Sequence, residues 1–255
     1  MEREDPTLKV AALYDIHGNL PALEAVLDEI RRAQVDRLIV GGDVIPGPMP
    51  RETLECLLDL DIPVQFIRGN GDREVLARMR GDESGTVPAR FREVIRWNAE
   101  QLLPDYERVV SAWPETLRVE IEGLGDVLFC HATPQSDTEI FTRLTPDANL
   151  LPVLEGVAAP LVVCGHTHMQ FDRTVGATRV VNAGSVGMPF GEPGAYWLLL
   201  GPDVRFRRTS YDFGNAAALI RRTKYPQAED FAATNVLRPP SEADMLEAFS
   251  RAVKS

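Results

Sequence analysis

Three short apolar runs in the first 70 residues stop at the same kind of punctuation, and this repetition constrains the fold more than any other feature. The run at 8–13 leads into Asp15-Ile16-His17-Gly18-Asn19, that at 38–40 into Gly41-Gly42-Asp43, and that at 64–67 into Arg68-Gly69-Asn70-Gly71-Asp72. Between the first two, Leu20, Leu23, Val26, Leu27 and Ile30 recur at helical spacing, with Pro21 tolerated in the first turn. Between the second and third, the rigid Pro46-Gly47-Pro48 loop precedes a helix through Leu54, Leu57 and Leu58. Strand-helix-strand-helix-strand at this spacing implies right-handed crossovers and a parallel sheet, hence an α/β fold. Ligands of such sheets gather beyond the carboxyl ends of the strands. Asp15, His17, Asp43 and Asn70 all fall there.

The alternation then breaks. Residues 88–112 read as a helical excursion, a wall or lid, with Phe91, Val94, Ile95 and Leu102 on one stripe. Runs at 117–121 and 126–130 form a hairpin whose second strand stops at His131. After a helix near 147–157, the run at 161–164 stops at Gly165-His166-Thr167-His168. Strands at 171–175, 178–181, 196–200 and 204–210 follow closely enough to be antiparallel. Helices at 215–222 and 242–253, separated by a proline-containing loop, close the chain within a helical tail spanning about 214–255. No stretch reads as a linker, so residues 1–255 are expected to form one domain, a size at which a single core remains feasible.

Composition removes some function classes. A formal net charge of −11 argues against nucleic-acid backbone binding, which needs clustered Lys and Arg. A metal centre can still reverse the local field for a small anion. Three cysteines without C-x-x-C spacing fit buried thiols in a reducing cytoplasm better than disulfides. The charged Met1-Glu2-Arg3-Glu4-Asp5 start and the lack of long apolar runs give no sign of a signal peptide or membrane span.

All four histidines, His17, His131, His166 and His168, stand at the end of an apolar run. Any one of them alone reads as an ordinary core residue; four at strand ends point to a shared site. Residues two apart on an extended chain share a face, so Asp15 with His17, and His166 with His168, can each converge on one point. With Asp43 and Asn70 this makes seven candidate ligands. Their mixture of imidazole, carboxylate and amide suits Mn, Fe, Zn, Co or Ni better than calcium.

In this order, Asp15-x-His17, Gly42-Asp43, Gly69-Asn70, His131 and Gly165-His166-x-His168 resemble the calcineurin-like metallophosphoesterase superfamily, over roughly residues 8–210. The pattern is most similar to the small bacterial and archaeal branch that includes YfcE-like phosphodiesterases. The resemblance implies a four-layer αββα sandwich of two mixed sheets with two metals at the carboxyl ends of the central strands. It implies that Asp15, His17 and His168 hold one divalent transition-metal ion, that Asn70, His131 and His166 hold the other, and that Asp43 bridges them. The activity implied is phosphodiester hydrolysis by in-line attack of a metal-bridging hydroxide on a small phosphate-ester or nucleotide substrate. Two divalent cations against two carboxylates and one hydroxide leave a small positive excess, suited to one phosphate group. Alternatives within the resemblance are a phosphomonoesterase, a protein phosphatase or a diadenosine tetraphosphatase-like hydrolase. A non-catalytic scaffold, as in a retromer subunit with a degraded metal site, is a further one.

One departure is informative. Many members carry Gly-Asn-His-Asp where this chain has Gly69-Asn70-Gly71-Asp72. The resemblance implies that the absent histidine assists the leaving group. A histidine installed at position 71 is expected to restore that help unless Gly71 needs a positive φ. Asp72 then reads as a helix cap. Arg68 and Arg73 flank the loop as possible phosphate contacts, and Asn182-Ala183-Gly184-Ser185 reads as a structural turn. Cys130 and Cys164 read as small buried strand residues rather than nucleophiles. The excursion at 88–112 and Met188-Pro189-Phe190-Gly191 are the candidate walls of the substrate site.

Overall fold

The computed structural model describes residues 8–82 and 87–252; the charged amino terminus and Val253 of the expected last helix lie outside them. The opening alternation is present as read. β1 (Val10–Leu13), α1 (Leu20–Ala33), β2 (Arg37–Val40), α2 (Pro50–Leu58), β3 (Val64–Phe66) and α3 (Asn70–Met79) follow one another, and β1, β2 and β3 run parallel. The excursion is two helices, not one: α4 (Ala89–Gln101) and α5 (Pro104–Ser111). Pro104 drives the residue before it out of the helical region, and Leu103 sits at ψ 150°. Val94 and Leu102 are buried as expected, but Phe91 is 40% exposed and lies off the inner stripe.

A second sheet follows, from β4 (Thr116–Ile121) and β5 (Gly125–Cys130), then α6 (Asp147–Leu154), β6 (Leu161–Cys164), β7 (Phe171–Val175) and β8 (Thr178–Asn182). Its order is β4-β5-β6-β8-β7. β9 (Ala195–Leu200) and β10 (Val204–Thr209) return to the first sheet, giving β10-β9-β1-β2-β3. The hairpin pairs β7–β8 and β9–β10 are antiparallel, as their short connections require, while β8 also runs parallel to β6. Sequence proximity names the first neighbour of a strand and is silent about the second.

Alternation along the strands builds the layers. Val10, Ala12 and Ile39 of the first sheet meet Val127, Phe129, Val163 and Val181 of the second in one buried cluster. The intervening Ala11, Leu13, Leu38 and Val40 face Leu23, Val26, Leu27 and Leu54 of α1 and α2. On the far side, Leu128, Cys130, Val162 and Cys164 pack with Leu150 of α6. The result is the four-layer αββα sandwich. The tail adds α7 (Phe213–Arg222), α8 (Ala228–Phe231) continuing into a π-helical turn over Ala232–Leu237, and α9 (Glu242–Ala252). The expected proline-containing loop is therefore largely helical. Apolar Phe231, Ala232 and Val236, which join Ala217, Ile220 and α4's Val94 in a fourth cluster, supply the burial that local propensity did not announce.

Candidate metal centre

The strand-end turns bring all seven nominated ligands together between the two sheets. Asp15, His17 and His168 offer donor atoms within 4.8 Å of one another, and so do Asp15, Asp43 and His131. Asn70 Oδ1 lies 3.1 Å from His131 Nε2, and the His131 and His166 rings are 5.2 Å apart. Two groups thus adjoin across Asp15 and Asp43. Asp15 is more central than its place in the sequence suggests, because its Oδ1 faces His131 as well as His17 and His168.

Backbone conformation is what aims these side chains. Among the described residues six non-glycine positions have left-handed φ, and five are site residues: Asp15, His17, Asp43, His166 and His168, at φ between 48° and 66°. Such values are uncommon outside glycine and cluster at functional sites. Loop hydrogen bonds hold the turns: Asp15 N–H donates to Gly42 O, His17 N–H to Asp43 O, and His166 N–H to Asp15 Oδ2 at 2.8 Å. Gly42 (φ 93°) is needed on two counts, since a Cβ there would also lie 2.8 Å from His131 Nδ1.

The imidazoles are oriented for cations. His17 Nδ1 is 3.0 Å from Pro46 O, His131 Nδ1 is 2.9 Å from Gly41 O, and His168 Nδ1 is 2.7 Å from Met188 O. A carbonyl only accepts, so each neutral ring carries its proton on Nδ1 and turns a bare Nε2 inward. His17 Nε2 and His168 Nε2 then confront each other at 3.3 Å. Asp15 Oδ1 is buried at their centre with no hydrogen-bond partner, 3.3 Å from His168 Nε2. Converging lone pairs around an orphaned buried carboxylate oxygen are what a bound cation resolves. Where a proton takes the place of a cation on the facing rings, their positive charge, His168 foremost, holds Asp15 well below the usual carboxylate range against the burial that pushes it up, and Asp15 in turn pushes His168 up. Burial, with His131 alongside, brings His166 down to about 4, which keeps that ring neutral at pH 7. Asn70 can be seated two ways. Turned over, its amide donates to His131 Nε2, His166 Nδ1 and Asp137 O; as a ligand it would instead turn Oδ1 inward.

Asp72 caps α3 by accepting Gly69 N–H, as expected, but it does more. The same buried carboxylate accepts the N–H groups of Asp43, Val44 and Ile45 at 2.8–3.1 Å, and so fixes the loop that presents Asp43. Asp72→Asn, nearly isosteric, leaves at least one of these donors unpaired. It is expected to weaken metal affinity by about 10- to 100-fold, the usual effect of losing an outer partner. A metal titration of the variant checks this, and affinity equal to wild type would show that the loop is held without Asp72.

The other nominated residues fall as follows. Arg73 is clamped by Asp137 at 2.7 Å and by Glu74, and Arg68 is paired with Glu115. Both arginines are already committed to carboxylates. Asn182 donates to Gly165 O and Thr167 Oγ1, and Ser185 donates to Asp15 O, so the Asn182–Ser185 turn braces the ligand loops rather than joining them. Cys130 and Cys164 are buried, and burial pushes both thiols up, away from nucleophilic chemistry. Asn98 of α4 accepts Gly47 N–H, which fastens the excursion to the loop carrying His17's carbonyl partner. A cavity of about 230 Å³ opens beside His131, lined among others by Arg73, Glu115, Thr133, Gln135 and Asp137. The carbonyl partners of the histidines carry no sequence signal; Asp72 had one, as the acidic member of Gly-Asn-Gly-Asp.

Comparison with known proteins agrees with this geometry. The chain is 26% identical over 241 residues to the uncharacterized protein MJ0912 of Methanocaldococcus jannaschii, covering 86% of this chain and 94% of that one. The crystal structure of hypothetical protein PH1004 from Pyrococcus horikoshii superposes with a TM-score of 0.79 at 22% identity, over 92% of this chain and all of that one. A metallophosphoesterase from Sphaerobacter thermophilus gives 0.68 at 25% identity, over 90% of this chain and all of that one. Residues 8–201, which contain every nominated ligand, match the calcineurin-like phosphoesterase superfamily domain, and the chain belongs to that superfamily.

Proposed function

We propose that this chain is a dinuclear metal-dependent phosphoesterase that prefers phosphodiesters. The observation that carries the reading is the buried Asp15 Oδ1, without a partner and faced by the inward Nε2 atoms of His17, His131 and His168. Asp15, His17 and His168 would hold one divalent transition-metal ion, and Asn70, His131 and His166 the other, with the Asp43 carboxylate facing both. When bound, such a pair of ions supplies charge stabilisation at the phosphoryl oxygens and an acidified water as nucleophile. This chain's own contribution is positional: carbonyls fix the ring tautomers, and Asp72 holds the Asp43 loop. Preference for a diester rests on Arg68 and Arg73, whose charges are already offset, so a monoester's second negative charge finds no added partner in them. The cavity beside His131 is the place for one alcohol group of the diester.

A cytosolic setting fits three free thiols, two of them buried; among the described residues no helix is long and apolar enough to cross a membrane. The test is metal analysis of the reconstituted protein, with Mn, Fe, Zn, Co and Ni compared, followed by turnover of bis-p-nitrophenyl phosphate and p-nitrophenyl phosphate. Two equivalents and faster diester cleavage are expected. Metal-loaded protein that cleaves neither ester would favour the scaffold alternative. Faster monoester cleavage would overturn the diester preference.

A further inference from the structure

We infer that residues 240–249, beyond the part of the chain that matches the superfamily domain, are a positioning element for the His168 half of the metal centre, acting through Phe249 and Phe190. The inference rests on the dinuclear reading above. His168 is fixed from two directions by the loop between β8 and β9. Its Nδ1–H donates to Met188 O at 2.7 Å, which sets the tautomer, and its ring stacks on Phe190 with centroids 5.3 Å apart and planes 22° from parallel, which sets the tilt. That loop lies outside both strand ladders. On its near side Met188 N–H donates to Ser185 Oγ. Its far side is tied to β9 and β10 at Glu192, whose carbonyl accepts from the Tyr196 hydroxyl and whose carboxylate pairs with Arg208, and to the tail around Phe190 and Gly191. Gly191 N–H donates to Pro240 O at 2.8 Å, Phe249 of α9 packs against Phe190 with centroids 6.1 Å apart, and Glu242, paired with Arg143 at 2.7 Å, anchors the first turn of α9.

The arrangement is asymmetric. The other half of the centre, Asn70, His131 and His166, is oriented by Gly41 O, by the His131–His166 ring contact and by α3. Loosening α9 therefore frees the Phe190 ring and the tilt of His168, and leaves His131 and His166 in place. A helix that merely covered apolar surface would lower stability without distinguishing the two ions.

The experiment is a Co(II) titration of the full chain, followed by d–d absorption and calorimetry, for wild type, Phe249→Ala, Phe249→Tyr and Phe190→Leu. Phe249→Ala is expected to weaken one of the two equivalents by about tenfold or more, the scale of a lost outer partner, with the other changed less than about twofold. Phe249→Tyr, which keeps the ring, should restore both. Phe190→Leu keeps apolar bulk but removes the stack, and it should reproduce the selective loss even if Phe249→Ala folds poorly. Equal weakening of both equivalents, or none in either variant, overturns the inference. A wild type that binds fewer than two equivalents strikes the dinuclear reading itself, a result separable from the first because it appears before any substitution is made.

Discussion

Asp43→Asn is expected to lose both metal equivalents together and to abolish turnover, a larger effect than the roughly 10- to 100-fold cost of an outer partner. Asp43 Oδ2 lies 3.8 Å from His17 Nε2 and 3.6 Å from His131 Nε2, one from each half of the centre, while Oδ1 accepts Gly71 N–H at 2.7 Å. Two divalent cations a few ångströms apart repel strongly, and a carboxylate between them is the main relief the protein offers. Asparagine is the right replacement because φ at this position is 53°, where asparagine is tolerated and alanine adds strain of its own. His166→Gly and His168→Gly, which meet the left-handed φ at these positions without strain, should by contrast each spare one equivalent while nearly stopping catalysis. Elemental analysis after reconstitution distinguishes the cases, and two tightly held equivalents in Asp43→Asn would rule out the bridging role.

Alkyl phosphodiesters are expected to turn over about 10²- to 10⁴-fold more slowly than p-nitrophenyl esters of similar size, the range that general-acid help commonly supplies. The resemblance puts a leaving-group histidine at the position of Gly71, and the structure explains why no side chain stands there. A Cβ would lie 2.4 Å from Pro46 Cγ and 3.0 Å from Asp43 Oδ1. The obstacle foreseen from sequence, a positive φ, is not the real one, for Gly71 lies in the first turn of α3 without left-handed geometry. Gly71→His alone is therefore expected to push aside the Pro46 loop, whose carbonyl orients His17, and to lose metal rather than gain an acid. Paired with Pro46→Ala, which removes the colliding ring atom, the substitution becomes a fair test. The quantity to measure is kcat/KM for alkyl over p-nitrophenyl substrates across leaving-group pKa. A flat wild-type dependence would mean that protonation is not limiting, or that another group supplies it, and that Gly71 is not the determinant.

The convergence of the candidate ligands was legible because each one follows closely on the end of a strand. Apolar β1 and β2 run directly into Asp15-x-His17 and Gly42-Asp43, and a parallel sheet sends all such ends to one side. The rest was either masked by a competing pattern or set by contacts distant in sequence. The break between α4 and α5 at Leu103 was written in Pro104 but masked by continuous apolar spacing. The commitment of Arg73 to Asp137, 64 residues away, depends on a loop whose path no periodicity encodes. The π-helical turn at Ala232–Leu237 sits among prolines and polar residues, and is held by tertiary burial of Ala232 and Val236. Asp72's hold on three successive loop amides needed the loop itself to be seen.

The five left-handed candidate ligands bear on how this protein responds to selection for robustness. A non-glycine residue in that conformation costs at most about 1 to 2 kcal/mol, less for Asp and His than for most, so together the five cost a sizeable share of the net stability of an ordinary domain, about 5 to 15 kcal/mol. Glycine at positions 15, 17, 43, 166 or 168 would relax the backbone of the ion-free chain while removing a ligand. A library screened for heat resistance in a chelating buffer would therefore drift toward inactive sequences, and the same library screened with metal present would not. On the dinuclear reading, thermal hardiness and hydrolytic competence would pull on the same five φ angles, and the ion would decide which direction a sequence can move.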